Sequence, residues 1–234
     1  MINDFSTFCE ALSQSGFSMG GGNAKGIFAL IPYGWEQQEK IESPVKWHTG
    51  DPETDPWEWR MRVLEERSNI AYSKVFFRTS GYITVEWYPC FYAIRRKGQS
   101  FEEAYDDGNV SRAAKRIYEI VESNGETALH EIKQLGGFGK EESACFERAV
   151  VELQMRMFLT MCGRAQKINR YGEGYGWNST VFTTVERFWS DRNTDLESLA
   201  AAYPPNNAED RIRKQILRLN PQADEKKITK FIRG

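Results

Sequence analysis

Residues 111–125 read SRAAKRIYEIVESNG, residues 127–163 read TALHEIKQLGGFGKEESACFERAVVELQMRMFLTMCG, and residues 176–189 read GWNSTVFTTVERFW. In the first stretch Ala114, Ile117, Tyr118 and Val121 recur at helical spacing, which predicts a helix over 111–123 with one apolar face, ended by Asn124 and Gly125. A second helix is predicted over 128–135, capped by Thr127 and stopped by Gly136 and Gly137. A third is predicted over 140–156, with Phe146, Ala149, Val150, Leu153 and Met157 on its core-facing stripe. After it come an apolar strand over 158–162, a turn at Gly163, a basic and glycine-rich stretch to Gly176, and a return strand over 179–185.

Three helices with a tight turn before the third, then a strand pair with a long tip, is the order of a winged helix: a helix-turn-helix plus a β-wing. In the usual docking of that fold the third helix enters the major groove of DNA and the wing reaches phosphates or the minor groove. The outward positions of the third helix include Glu141, Glu142, Glu147 and Glu152, and four carboxylates suit a polyanion poorly. Contact from that helix therefore rests on Ser143 and Arg148. The wing is better equipped, because Arg164, Lys167 and Arg170 are interleaved with Tyr171, Tyr175 and Trp177, charges for phosphates and flat rings for exposed bases.

Around this core the chain reads as α+β, with a smaller α+β unit over 1–108, the winged helix over 109–190 and a helical tail over 191–234. In the N-terminal unit a helix over 3–14 is capped by Asn3 or Asp4 and stops at Gly16. The glycine-rich bend SMGGGNAKG (18–26) then feeds an apolar strand, IFALI (27–31). A phosphate loop needs its strand before the glycines and a helix after them, so the bend reads as a flexible turn. Residues 44–58 form a turn-rich loop; Asp55 caps a following helix that reaches about residue 67, Pro56 suits its first turn, and Trp57, Met61 and Leu64 share its face. Two strands, 75–78 and 82–85, flank a turn at 79–81, and Ser100 with Glu103 forms a capping box for a short helix to about residue 106. In the tail Ile212, Ile216 and Leu219, continued by Ile228, Phe231 and Ile232, predict a docking helix pair and a contact for a homodimer. Arg211, Arg213, Lys214 and Arg218 are its candidate cations.

Composition narrows the class. With 234 residues, 40% of them hydrophobic and 13% aromatic, the chain has ample material for a packed core. Its longest apolar runs are far short of the roughly 18 residues needed to cross a bilayer, and the N-terminus MINDFSTFCE lacks a basic region followed by an apolar core. A cytoplasmic protein without a membrane partner is expected. The net charge of −2 argues against indiscriminate coating of nucleic acid, but the acidity is confined to residues 1–110, with 11 basic against 16 acidic side chains, whereas 111–189 hold 11 against 10. Cys9, Cys90, Cys145 and Cys162 are widely spaced, with no pairing typical of zinc sites, so reduced and mostly buried thiols are expected and no metal or cofactor is indicated.

The run from AAKRIYEIVESNG (113–125) through FERAVVELQMRMFLTMCG (146–163) to GWNSTVFTTVERFW (176–189) resembles the AlkZ-related proteins. HTGDPETDPWEWR (48–60) and AYSKVFF (71–77) are supporting signatures. These are relatives of the winged-helix DNA glycosylases that excise alkylated or crosslinked purines. The resemblance implies a winged-helix fold and a place in DNA repair or regulation. Those glycosylases are longer chains of tandem winged helices, and their activity depends on two glutamines separated by one apolar residue. That motif is absent here: Gln37 and Gln38 are adjacent, and Gln134, Gln154 and Gln166 stand alone.

Three functions follow as expectations. The first is a DNA-binding protein acting through Arg164, Lys167, Arg170, Tyr171, Arg148 and Ser143, without the glycosylase motif. The second is a minimal glycosylase in which His48, Asp51 or Glu58 of the N-terminal unit replaces the glutamines, with Trp57, Trp59, Trp87 and Tyr92 either packing the core or walling a base pocket. The third is a noncatalytic interaction module that presents its acidic third helix to a protein.

Overall fold

The computed structural model describes residues 2–168 and 171–234, a mixed α+β chain that divides into two compact units. One comprises residues 1–97 together with 197–234, the other residues 98–196.

The first unit begins with α1 (Phe5–Ser15). Its cap is reciprocal: the Asp4 carboxylate accepts from the Thr7 amide at 2.8 Å while the Asp4 amide donates to the Thr7 hydroxyl at 3.1 Å. Gly16 ends the helix at φ +84°, where a side chain would be strained and would also strike the Trp87 ring. The chain then enters β1 (Phe17–Met19), which pairs antiparallel with β3 (Thr79–Thr84), itself paired with β2 (Ile70–Phe76), giving the order β1-β3-β2.

Two strand expectations are corrected here. IFALI is not a strand; the strand is FSM, on the other side of the glycines. Residues 27–31 form turn and bend, yet they bury Ile27, Ala29 and Ile31 in alternation. The Leu30 amide, however, donates to the Ser18 hydroxyl at 3.0 Å, so a side chain stands where a ladder carbonyl would be. The next helical turn, Gln38–Lys40, begins well past the glycines, so the bend does not open a helix as a phosphate loop does. The hairpin turn is Phe77 and Arg78, not residues 79–81: Phe76 pairs with Thr79, and both turn residues adopt left-handed φ, +50° and +62°. Gly81 lies inside β3, where a Cβ would come within 2.3 Å of the Phe76 ring and 2.9 Å of the Ser18 carbonyl.

Helix α2 (Pro56–Glu66) starts at Asp55 with Pro56 in its first turn, as the sequence predicts. Its buried face is carried by Trp59, Met61, Val63 and Leu64. Trp57, expected on that face, is exposed. Helix α3 (Tyr88–Arg96) packs beneath α10 (Pro205–Leu219) and α11 (Glu225–Arg233). The apolar stripe of the tail is thus buried inside the chain's own first unit: Ile212, Ile216, Ile228, Phe231 and Ile232 have no solvent exposure. Phe231 stacks on Phe76 at 3.9 Å between ring centres. Arg95 of α3 fixes the last turn of α11, donating to the carbonyls of Ile232 and Phe231 at 2.9 and 2.8 Å and to that of Val75 at 2.7 Å. A cation suits a helix C-terminus. Burial lowers the pKa of this guanidinium to about 10, which leaves it charged at neutral pH.

The second unit opens with α4 (Phe101–Asp106), whose Ser100–Glu103 capping box forms as read: the Glu103 amide donates to Ser100 Oγ at 3.2 Å and the Ser100 amide to Glu103 Oε2 at 2.8 Å. Then come α5 (Arg112–Asn124), β4 (Thr127–Ala128), α6 (Leu129–Leu135), α7 (Ser143–Met155), β5 (Leu159–Ile168), β6 (Gly174–Thr184) and α8 (Val185–Ser190), after which α9 (Leu196–Ala201) leads into the tail. The sheet is antiparallel in the order β4-β6-β5. All four apolar positions predicted for α5 are buried, as are the five predicted for the third helix, of which Met157 lies just past the end of α7. Thr127 is not the cap of α6 but a β4 residue; instead the Ala128 amide donates to Glu131 Oε2 at 2.9 Å. Gly163 is not a turn either. It pairs with Val181, after a register shift that skips Cys162, and β5 continues to Ile168 as one arm of a long hairpin.

Candidate nucleic-acid interface

The hairpin of β5 and β6 is where the sequence concentrates its cations and rings. Between its two register shifts the ladder is regular, with Arg164 opposite Thr180 and Ala165 opposite Ser179. The register then jumps to Lys167 opposite Tyr175 and Ile168 opposite Gly174, so residues 176–178 stand against Gln166 alone. Gln166 spans the irregularity, its Nε2 donating to the Gly176 carbonyl at 3.5 Å. Gly176, at φ +67°, lets the chain bend outward there, and Trp177 is carried on that bend with 92% of its surface exposed. Tyr171, Ile168 and Tyr175 follow at 70%, 59% and 52%. As a cross-strand pair, Lys167 and Tyr175 project from the same face of the ribbon. Arg164 is exposed, and Arg170 lies outside the described residues.

Helix α7 carries the other two expected contacts. Arg148 is exposed at mid-helix, while Ser143 is half-buried at the first turn, where its hydroxyl accepts from Lys133 Nζ at 3.3 Å. Five residues apart, at about 100° per residue, they lie on different faces of the helix. Two of the four carboxylates counted against this helix turn out to be engaged within the unit. Glu142 pairs with Arg116 at 3.3 Å and accepts from the Gly139 amide. Glu152 accepts from the amide and hydroxyl of Ser111 at 2.9 and 2.7 Å. The exposed residues at the start of α7 are Ala144, Cys145, Glu147 and Arg148.

Sequence reasoning missed Arg116. Its Nε donates to the Gly136 carbonyl at 2.6 Å, and its guanidinium lies 3.9 Å over the Phe138 ring, so it clamps the turn between α6 and α7 to α5. The only hint was a basic residue beside the apolar face of α5, a spacing shared with ordinary solvated arginines.

The AlkZ related family model matches residues 2–233. The chain belongs to that family. No curated protein and no solved structure matches it.

The AlkZ-related chain holds its three catalytic candidates on or beside the loop before α2, and that loop is organised around Asp55. Fully buried, Asp55 accepts from the amides of His48 at 3.0 Å, Gly50 at 2.9 Å and Trp57 at 2.8 Å. His48 is thereby held at φ +61°, a left-handed conformation unusual outside glycine. Its ring is exposed, 4.8 Å from that of Trp57, and Arg60 covers Trp57 with its guanidinium at 3.3 Å. Asp51 closes a turn of its own, accepting from the Thr54 hydroxyl at 2.7 Å and the Glu53 amide at 3.0 Å. These bonds, the hydroxyl's first, lower its pKa and keep it ionised, unsuited to donating a proton. Glu58 sits half-buried in the first turn of α2. Among the described residues no group of three or more His, Cys, Asp or Glu side chains is placed to hold a metal ion.

Trp59 and Tyr92 are buried in the first unit. All four cysteines are free; Cys9 and Cys90 are buried, whereas Cys145, contrary to expectation, is exposed on α7. Burial pushes the Cys162 thiol up to about 12, so it stays protonated at neutral pH. In the tail Arg211 donates to the Glu86 carbonyl and lies over Trp87, Arg213 pairs with Glu209 and Glu225, and Arg218 donates to Gln215. Those three cations serve the first unit's own structure, and Lys214 is left exposed. No helix among the described residues is long and apolar enough to cross a membrane.

Proposed function

We propose that residues 98–196 are a winged helix that binds DNA chiefly through its wing, and that the protein serves DNA repair or its regulation without the glycosylase motif. The order α5-β4-α6-α7-β5-β6, with the short strand between the first two helices pairing to the last strand, supports the fold reading. The observation that carries the function is the hairpin, with Arg164 and Lys167 exposed or half-exposed among Tyr171, Tyr175 and Trp177. Phosphates are met by cations and bases by flat rings, and the hairpin supplies both.

Helix α7 assists through Arg148, whereas Ser143, half-buried on a different face with its hydroxyl bonded to Lys133, stands apart from that surface. With Glu142 and Glu152 engaged internally, the carboxylates it exposes near its start are Glu141 and Glu147. Membership of the AlkZ related family supports a repair-related role. A glycosylase centred on His48, Asp51 and Glu58 is less favoured, because Asp51 is tied to its own turn. A homodimer, if formed, uses surfaces other than the buried stripe of α10 and α11.

Binding to duplex DNA with and without alkylated bases, at two salt concentrations, tests the reading. Saturable binding is expected, with affinity falling on added salt at a log–log slope of roughly −2 to −3, as for two or three phosphate contacts. Lys167→Ala should weaken it and lower that slope by about 1. No release of free base is expected from alkylated DNA. Absence of saturable, salt-sensitive binding at low salt would overturn the proposal.

A further inference from the structure

On the reading of the hairpin as a DNA-binding wing, we propose that its target is DNA with unpaired nucleotides, Trp177 serving as the stacking platform while Lys167 and Arg164 hold flanking phosphates. The first ground is the concentration of exposed rings. Among the described residues eight large hydrophobic side chains are exposed, and four of them, Ile168, Tyr171, Tyr175 and Trp177, lie on this one hairpin. An indole 92% in water contributes nothing to the core that would justify its size.

The second ground is the backbone that presents it. Across the jump from the Ala165–Ser179 pair to the Lys167–Tyr175 pair, one residue of β5 faces three of β6. That excess re-aims the chain, and Gly176 at φ +67° permits the bend. The placement of Trp177 thus follows from the ladder's geometry and is not an accident of a loose loop end.

The third ground is what an exposed indole can touch on each kind of DNA. In an intact duplex both faces of every base are covered by its neighbours, and the edges are met by hydrogen-bonding groups, of which indole offers a single donor. An unpaired nucleotide offers an open face, and stacking on it tolerates any base. Charge agrees with that occupant: the hairpin carries Arg164 and Lys167 from its described residues against Glu173, a balance that favours a polyanion. The side-by-side placement of Lys167 and Tyr175 puts a cation next to a ring, the pairing that a phosphate and its base require.

The test is a fluorescence-anisotropy titration of the full chain against three labelled DNAs of equal length: an intact duplex, a duplex with a short single-stranded gap, and a single strand. Gapped and single-stranded DNA are expected to bind about 5-fold or more tightly than duplex, the effect of one stacked base. Trp177→Ala should abolish that preference, leaving the three DNAs equal in affinity, and Trp177→Phe should retain part of it. Lys167→Ala should weaken all three alike. Because Trp177 lies outside the core, an unaltered circular dichroism spectrum is expected for its variants. Equal affinity for the three DNAs, unaffected by Trp177→Ala, overturns this proposal and leaves duplex binding standing. No binding to any of them overturns both. A dimer in sedimentation that Trp177→Ala dissociates assigns the hairpin to self-association and overturns the proposal as well.

Discussion

At the scale of single residues the decisive side chain of the first unit is Asp55. As a sequence element it is one of several carboxylates in a loop that reads as solvated, and only its position before Pro56 marks it as a helix cap. In the fold it is fully buried and accepts three amide donors, so the acidic loop closes inward on one of its own carboxylates. Replacing it with alanine removes the cap, typically about 1 kcal/mol, and leaves two further amides short of a partner; a loss of about 2–4 kcal/mol is expected. Asp55→Asn, which keeps one acceptor oxygen, should fall between. Denaturant midpoints measure both, and an unchanged midpoint for Asp55→Ala would show that water replaces the carboxylate. Trp177 marks the opposite limit. Its identity as a ring among cations was legible, but its prominence was not, because it depends on a register jump between strands whose pairing no local pattern encodes.

At the scale of elements, helices were read more closely than strands. The helical stripes of α5 and α7 are satisfied by neighbours within one segment, so spacing alone picks the buried positions. Strands depend on partners far along the chain, and two kinds of substitution disguised them. At β1 the Ser18 hydroxyl takes the Leu30 amide that a strand partner would have taken. At the β2–β3 hairpin the left-handed turn is made by Phe77 and Arg78, whereas turn chemistry points to the nearby glycine. That misplacement is itself testable. Arg78 at φ +62° carries a conformational cost that glycine lacks, partly offset by glycine's greater freedom when unfolded. Arg78→Gly should therefore stabilise the protein slightly, by roughly 0.5 kcal/mol. Gly81→Ala should do the reverse, since its Cβ meets the Phe76 ring and the Ser18 carbonyl. If residues 79–81 were the turn, the two substitutions would have the opposite ranking in melting temperature.

At the scale of the whole molecule, chain order and spatial order differ. The second unit is one continuous segment, residues 98–196, whereas the first is assembled from residues 1–97 and the tail 197–234. The tail's periodicity announced an apolar stripe, but an amphipathic pattern does not name the surface that covers it. A second copy and the chain's own N-terminal part are equivalent at that level. The fold supplies the answer in α3 and in Phe76, against which Phe231 stacks, and in Arg95, which holds the last carbonyls of α11. Without the tail, Phe17, Phe76 and Phe91 lose a common neighbour, since all three rings lie within 6 Å of Phe231. A fragment of residues 98–196 is therefore expected to melt cooperatively by itself, because its core is local to that segment. A fragment of residues 1–97 is expected to show no cooperative transition until a peptide of residues 197–234 is added. Circular dichroism melts of the two fragments and of the mixture check this. A cooperative melt of residues 1–97 alone would mean that α10 and α11 only cover a unit that is already complete.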